Sequence, residues 1–252
     1  MTPIDVSCDL GEAATADDRE TELALWPLVD AANVACGGHA GDDASMRAAA
    51  ALARRHAVRL GAHPSFPDRE GFGRRRIDIC ETELVASLVE QIRSLRAIAE
   101  EAGVELERVK AHGALYNVAY HDEQLARRLV DAVIAAAPRA ALVCPSGSAM
   151  ERVAAERSLS VVREAFADRR YLPDGSLLAR GHAQSLLTEP ADAAAQALSL
   201  AKRGIVTALD GSEITIPHDT ICIHADMPGA VARLRTIRSA LSSAGLTLRR
   251  PS

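Results

Sequence analysis

The chain has 252 residues, 48% of them hydrophobic but only 3% aromatic, and carries a net charge of −5. That is enough aliphatic material for a large core, which excludes a disordered chain, and the scattered Lys and Arg exclude the basic stripe of a nucleic-acid binder. No apolar run approaches the roughly 20 residues that cross a bilayer, and "MTPIDVSCDLGE" has neither a basic nor an apolar leader region, so no membrane segment or signal peptide is expected.

Short apolar runs alternate with longer stretches of helical period. "PIDVSC" reads as a first strand, "ETELALWPLV" (20–29) as a short helix and "AANVAC" as a second strand. Residues 43–56 form an alanine-rich helix, and "AVRLGAH" a third strand. A loop rich in Pro, Gly and charge over 64–80 precedes a helix near 81–102. Its Leu84, Leu88, Ile92, Leu95 and Ile98 share one face, and Gly103 ends it. "RVKAH" (108–112) is a fourth strand. A helix over 122–137 carries Leu125, Leu129, Val133 and Ile134 until Pro138 stops it. "AALVC" and "SVVREAF" are the fifth and sixth strands, and "PSGSAM" between them is a turn into a helix capped by Ser148 or a neighbour. A polar loop over 167–189 leads to a helix over 190–203. "GIVTAL" and "EITI" are weak strands, "TICIH" a strong one, and "GAVARLRTIRSALSSAG" a closing helix.

This alternation predicts an α/β fold with parallel strands and crossover helices, either a barrel or an open doubly wound sheet. No linker or repeat divides the chain, so one domain over 1–252 is expected. Cys8, Cys36, Cys144 and Cys222 lie in or just after strand-like runs and read as buried thiols in a reducing cytoplasm. With no C-x-x-C pair, a structural zinc site is not expected.

In a βα barrel the chemistry sits where strands end. The residues there are Asp9, Gly11 and Glu12; Gly37, Gly38, His39 and Asp42; His63; Lys110, His112, Tyr116 and Asn117; Glu164, Asp168 and Arg169; and His224 with Asp226. One histidine at a strand end is more often structural than catalytic. Four of the eight histidines in that position, among carboxylates and a lysine, point to a site. Asp42 is the carboxylate nearest His39 in sequence; whether His39 meets a ligand, a metal or Asp42 stays open. "GFGRRR" (71–76) is either an exposed loop or a lid bringing arginines to an anionic ligand. Cys36, three residues before His39, reads as a packed thiol rather than a nucleophile. No phosphate loop, G-x-G-x-x-G or G-x-S-x-G elbow is present. An Asp and two His on one rim can also hold a divalent ion with an open position, although no tight His-x-x-x-His spacing occurs. Two alternatives therefore stand: a stand-alone metal-dependent amidohydrolase or deacetylase, and a non-catalytic substrate-binding subunit.

"DVSCDLGE", "NVACGGHAGD", "LGAHPSFPDREGFGRR", "VKAHGALYN", "REAFADRRYLPDGSL" and "TICIHAD", in this order, resemble the LamB/YcsF family of 5-oxoprolinase A subunits from residue 4 to about 245. The resemblance implies a seven-stranded or irregular TIM-like (β/α) barrel of the glycoside hydrolase/deacetylase type. It implies opening of 5-oxoproline to L-glutamate with ATP, accompanied by Mg2+, as co-substrate, and partner subunits B and C. A divalent metal on the rim and a homo-oligomer stay open. Position by position, it places Asp9, His39, Asp42, His63, Lys110, His112 and Glu164 in catalysis. Glu12, Arg74, Tyr116, Asp168, Arg169, His224 and Asp226 fall to substrate binding. Lys110 would meet developing negative charge. His112 or His63 would be the general base, oriented by Asp9 or Asp42, and Glu164 would bind the amide N–H. Ser7, Gly38, Ala111 and Ala225 stand where the family usually has Asn, an aromatic, Pro and Gly. Gly38 is expected to widen the pocket.

Overall fold

The computed structural model describes residues 4–246 and 248. Strands β1 (Val6–Leu10), β2 (Ala31–Ala35), β3 (Arg59–His63), β4 (Leu106–Lys110), β5 (Ala141–Cys144) and β6 (Val161–Phe166) follow one another in parallel. β9 (Thr220–His224) then pairs with both β6 and β1, closing a seven-stranded barrel. That closure decides between the barrel and the open sheet. The two weak strands, β7 (Ile205–Thr207) and β8 (Glu213–Thr215), pair with each other as an antiparallel hairpin outside the barrel.

Both faces of these strands are buried, but by different chemistry. Side chains alternate across a strand. Val6, Cys8 and Leu10 of β1 join the hydrophobic shell. Ser7 and Asp9, with the preceding Asp5, point the other way, where Ser7 accepts from Thr220 Oγ1 at 3.1 Å and Asp5 meets Arg108 at 3.1 Å. The barrel interior is therefore a polar column inside an apolar wall.

The crossover helices are α1 (Ala16–Leu25), α2 (Asp43–His56), α3 (Glu81–Glu101), α5 (Glu123–Ala136), α6 (Ala149–Glu156), α7 (Pro190–Arg203) and α8 (Ala230–Ser243); α4 (Gly113–Ala119) is a short extra turn after β4. The expected stripe of α3 is buried throughout, and on α5 only Ile134 is left partly exposed. Ser148 caps α6 by accepting from the Glu151 N–H at 3.1 Å. Two boundaries differ from expectation. α1 starts at Ala16, not 20, because Thr15 and Asp18 form a capping box, and a 3₁₀ turn around Pro27 follows it. β4 ends at Lys110, so His112 stands at the N-cap of α4 rather than in a strand. All five cysteines are free thiols, four of them buried. Among the described residues, no helix is long and apolar enough to cross a membrane.

Candidate functional site

At the C-terminal ends of the strands the polar column opens into a cavity of about 730 Å³. Its floor is an ion cluster. Lys110, from the last position of β4, lies 2.9 Å from both Asp9 oxygens, 2.9 Å from Glu164 Oε1 and 3.3 Å from Cys222 Sγ. Burial alone disfavours the ammonium, but Asp9, Cys222 and Glu164 outweigh it and hold the Lys110 pKa well above the usual lysine range. Burial likewise opposes ionisation of Asp9, yet His63 and Lys110 keep it well below the usual carboxylate range. Asn33 donates to Asp9 Oδ1 at 2.9 Å, and Tyr116 on α4 donates to Glu164 Oε2 at 2.9 Å. Burial and that carboxylate push the Tyr116 pKa up, so the phenol stays a neutral donor.

Three of the four rim histidines converge beside this floor on one carboxylate, Glu12. Glu12 Oε1 lies 2.9 Å from His39 Nε2, 3.2 Å from His112 Nδ1 and 3.7 Å from His63 Nε2. Glu22 holds the loop beneath it, accepting from the N–H groups of Gly11 and Glu12 at 3.0 and 2.8 Å. The tautomers of two rings follow from their outer partners, since a carbonyl only accepts. His63 Nδ1 donates to the Lys110 carbonyl at 2.8 Å, and His112 Nε2 to the Phe72 carbonyl at 2.9 Å. That leaves His63 Nε2 and His112 Nδ1 facing each other at 3.0 Å. In the neutral rings both would carry lone pairs, so the contact needs either a proton on one of the two nitrogens or a cation shared between them. Burial lowers the His112 pKa, and lowers that of His39 to about 4. His63 is raised: burial works against its charge, but Asp9 and Glu12 outweigh it. Glu12, His39, His63 and His112 offer ligand atoms within 4.8 Å of one another, a set that can hold a divalent ion.

The 71–76 loop divides between the two readings open to it. Phe72 packs edge-on against His39 and His112 (ring centroids 5.2 and 5.3 Å), and its carbonyl accepts from His112 Nε2. Arg74 lies over the Phe72 ring at 4.9 Å and pairs with Asp226, and both line the cavity. Arg75 and Arg76 point elsewhere, to Asp68 and Asp122. One arginine of three thus reaches the site.

The far wall is built from β6, β9 and the 167–189 loop. His224 Nδ1 meets Asp168 Oδ1 at 2.9 Å, and the His224 N–H meets Asp168 Oδ2 at 2.8 Å. The fourth histidine therefore stands apart from the other three, stacked on Phe166 with centroids 5.3 Å apart. Asp226 also accepts from Arg180 at 2.7 Å. Arg169 is buried and lines the cavity, and among the described residues its side chain makes one hydrogen bond, from Nη2 to the Leu178 carbonyl at 2.7 Å.

Two expectations need correction. Asp42 is exposed and is not in the site: it caps α2 by accepting from the Ser45 N–H at 2.8 Å, so it orients no histidine, and the partner of His39 is Glu12. Gly38 does not widen the pocket. It is buried against the 64–80 loop and α3, where a Cβ would lie 2.3 Å from Gln91 Oε1 and 2.4 Å from Ser65 Oγ. Glu12, expected to bind substrate, lines the cavity and is also the hub of the histidine cluster. Sequence reading missed Cys222, Glu22, Phe72 and Arg180. Strand alternation back from His224 points to Cys222; a helical glutamate and a loop arginine carry no comparable signal.

A sequence profile described as the LamB/YcsF family matches residues 4–252. A protein of Chloroflexus aggregans that bears the name of the 5-oxoprolinase A subunit is 44% identical over 251 residues, covering 100% of both chains. One of the same name from Chloroflexus aurantiacus is 45% identical, covering 100% of this chain and 99% of its own. The crystal structure of a lactam utilization protein from Thermus thermophilus is 40% identical and covers 98% of this chain and 99% of its own, with a TM-score of 0.90.

Proposed function

The chain belongs to the LamB/YcsF family, and we propose that it is the ring-opening subunit of a 5-oxoprolinase, converting 5-oxo-L-proline to L-glutamate in the cytoplasm with ATP and Mg2+ and with partner subunits B and C. The names of its relatives support this reading. The observation that carries it is the cavity floor: a buried lysine clamped by Asp9 and Glu164, beside two imidazole nitrogens that face each other and Glu12.

An unstrained lactam resists water. Transfer of the γ-phosphoryl group of ATP to the lactam oxygen, with loss of ADP, makes C5 electrophilic. Water adds there and gives its proton to a base. The C5–N bond then breaks as the nitrogen takes a proton, and a second water hydrolyses the acyl phosphate to glutamate and phosphate. The His63–His112 pair, which can share a proton, suits the proton transfers. Lys110 supplies fixed positive charge beside the reacting carbon, and Glu164 lies where it can accept from the ring N–H. A cavity of about 730 Å³ exceeds what a five-membered lactam fills, which leaves room for a co-substrate. His112→Ala is expected to lower 5-oxoproline-dependent ADP release by the reconstituted complex by roughly 10²- to 10⁴-fold, with the thermal unfolding transition retained. Turnover near the wild-type level overturns the assignment.

A second reading rests on the two ring nitrogens 3.0 Å apart. His63 Nε2, His112 Nδ1 and Glu12 Oε1 would hold a divalent transition ion, with His39 fixing the carboxylate and the Lys110 and Phe72 carbonyls fixing the rings. Such an ion supplies Lewis acidity for amide hydrolysis. Stoichiometric metal in protein purified without chelator, lost in His63→Ala, favours this reading; metal-free protein that supports full turnover favours the first.

A further inference from the structure

Arg169 is the one cation of the cavity wall without a counter-charge among the described residues. Lys110 has Asp9 and Glu164, while Arg74 and Arg180 share Asp226. Arg169 is only 4% exposed, and its Nε is buried with no partner. Asp168, its neighbour in the chain, has both oxygens committed to His224. A buried guanidinium left like this is costly unless an anion completes it. Burial, reinforced by the nearby Arg180 charge, lowers its pKa to about 10, still charged at neutral pH.

We infer that Arg169 is the counter-charge for an oxyanion head on the ligand, the carboxylate of a lactam acid, so that the site selects carboxylate-bearing lactams over neutral ones. The inference rests on the ring-opening reading and deepens it. The planar fork of Arg matches a carboxylate, and with Nη2 committed to Leu178 and Nε closed off in the wall, Nη1 is the nitrogen left to donate into the cavity. Tyr116 and Phe166, which also line the cavity, face Lys110 with 5.8 and 5.1 Å between Nζ and the ring centroids. A lactam anchored at Arg169 therefore has aromatic faces for its ring and the Lys110 cluster for its amide. A phosphoryl oxygen of the co-substrate has the same charge chemistry, so the test separates the two sources.

The test is calorimetric titration of the full chain with 5-oxo-L-proline, the neutral 2-pyrrolidinone and ATP, for wild type, Arg169→Met and Arg169→Lys, each checked for folding by circular dichroism. The wild type is expected to prefer the acid. Arg169→Met should weaken the acid roughly 10- to 100-fold while changing 2-pyrrolidinone and ATP less than twofold. Arg169→Lys should recover part of the loss. An equal loss for both lactams overturns the inference in favour of a structural role, and a loss confined to ATP overturns it in favour of a phosphate subsite. A wild type that binds both lactams equally removes the subsite while the ring-opening reading stands. A wild type that binds neither removes both.

Discussion

Both ends of the barrel bury charge, but they dispose of it differently. At the N-terminal end, Asp5 lies between Arg59 at 2.6 Å and Arg108 at 3.1 Å, and Asp30 accepts from the Val6 N–H at 3.0 Å with Arg238 3.8 Å away. Every cation there has a carboxylate. Gly61 makes room for this cluster, since a Cβ would lie 2.5 Å from Arg108 Cγ. At the C-terminal end the pairing is incomplete: two imidazole nitrogens face each other, and Arg169 has no carboxylate among the described residues. A closed set of pairs holds strand ends together, whereas an open set requires something from outside. Burial and perturbed pKa values occur at both ends and do not tell site from scaffold; an unmatched charge on the cavity wall does, whereas Arg233, equally buried and unpaired among the described residues, lies off the cavity and donates to the Pro228 carbonyl.

The comparison makes opposite predictions for arginines at the two ends. Arg108→Met should destabilise the fold by about 3 kcal/mol, because it removes one partner of a buried pair and leaves Asp5 to Arg59 alone; denaturant unfolding measures this. Asp30 supplies a pH test of the same end. Burial raises its pKa from the usual value to about 6, so the folded state holds the proton more tightly than the unfolded state. That contribution to stability is complete below the unfolded pKa of about 4 and is lost as pH rises through about 6. Relative to wild type, Asp30→Asn should gain on the order of 2 kcal/mol between pH 4 and 7, read from unfolding curves across that range. At the open end Arg169→Met should raise stability by about 1 kcal/mol, a rise in Tm of about 2–4 °C, in contrast to Arg108→Met. A fall in Tm would break the comparison. The smallest effect belongs to Asp42→Ala, expected to lose about 0.5–1 kcal/mol as a helix cap with turnover unchanged. A large loss of turnover would return Asp42 to the site.

The histidines show how far sequence carries. His39, His63, His112 and His224 were each legible as strand-end residues, because strand ends follow from apolar runs. Their grouping was not: three share Glu12, and one pairs with Asp168. His39 and Glu12 are 27 residues apart, yet 2.9 Å in space. His39 and Asp42 are near in sequence, but α2 uses Asp42 for its own first turn. Local patterning cannot rank those two partners, since capping and long-range pairing compete for the same carboxylate chemistry.

The sequence by itself determined the strand and helix order, the buried thiols, the polar residues at strand ends and, through its motifs, the family. Those are properties of period and local composition. The tertiary structure alone decided that the seventh strand closes the barrel, that β7 and β8 stay outside it, that two imidazole nitrogens face each other, and that Arg169 is left without a counter-ion among the described residues. Closure and charge matching are sums over residues far apart in the chain, set by barrel register and by which side chains remain once the others have paired.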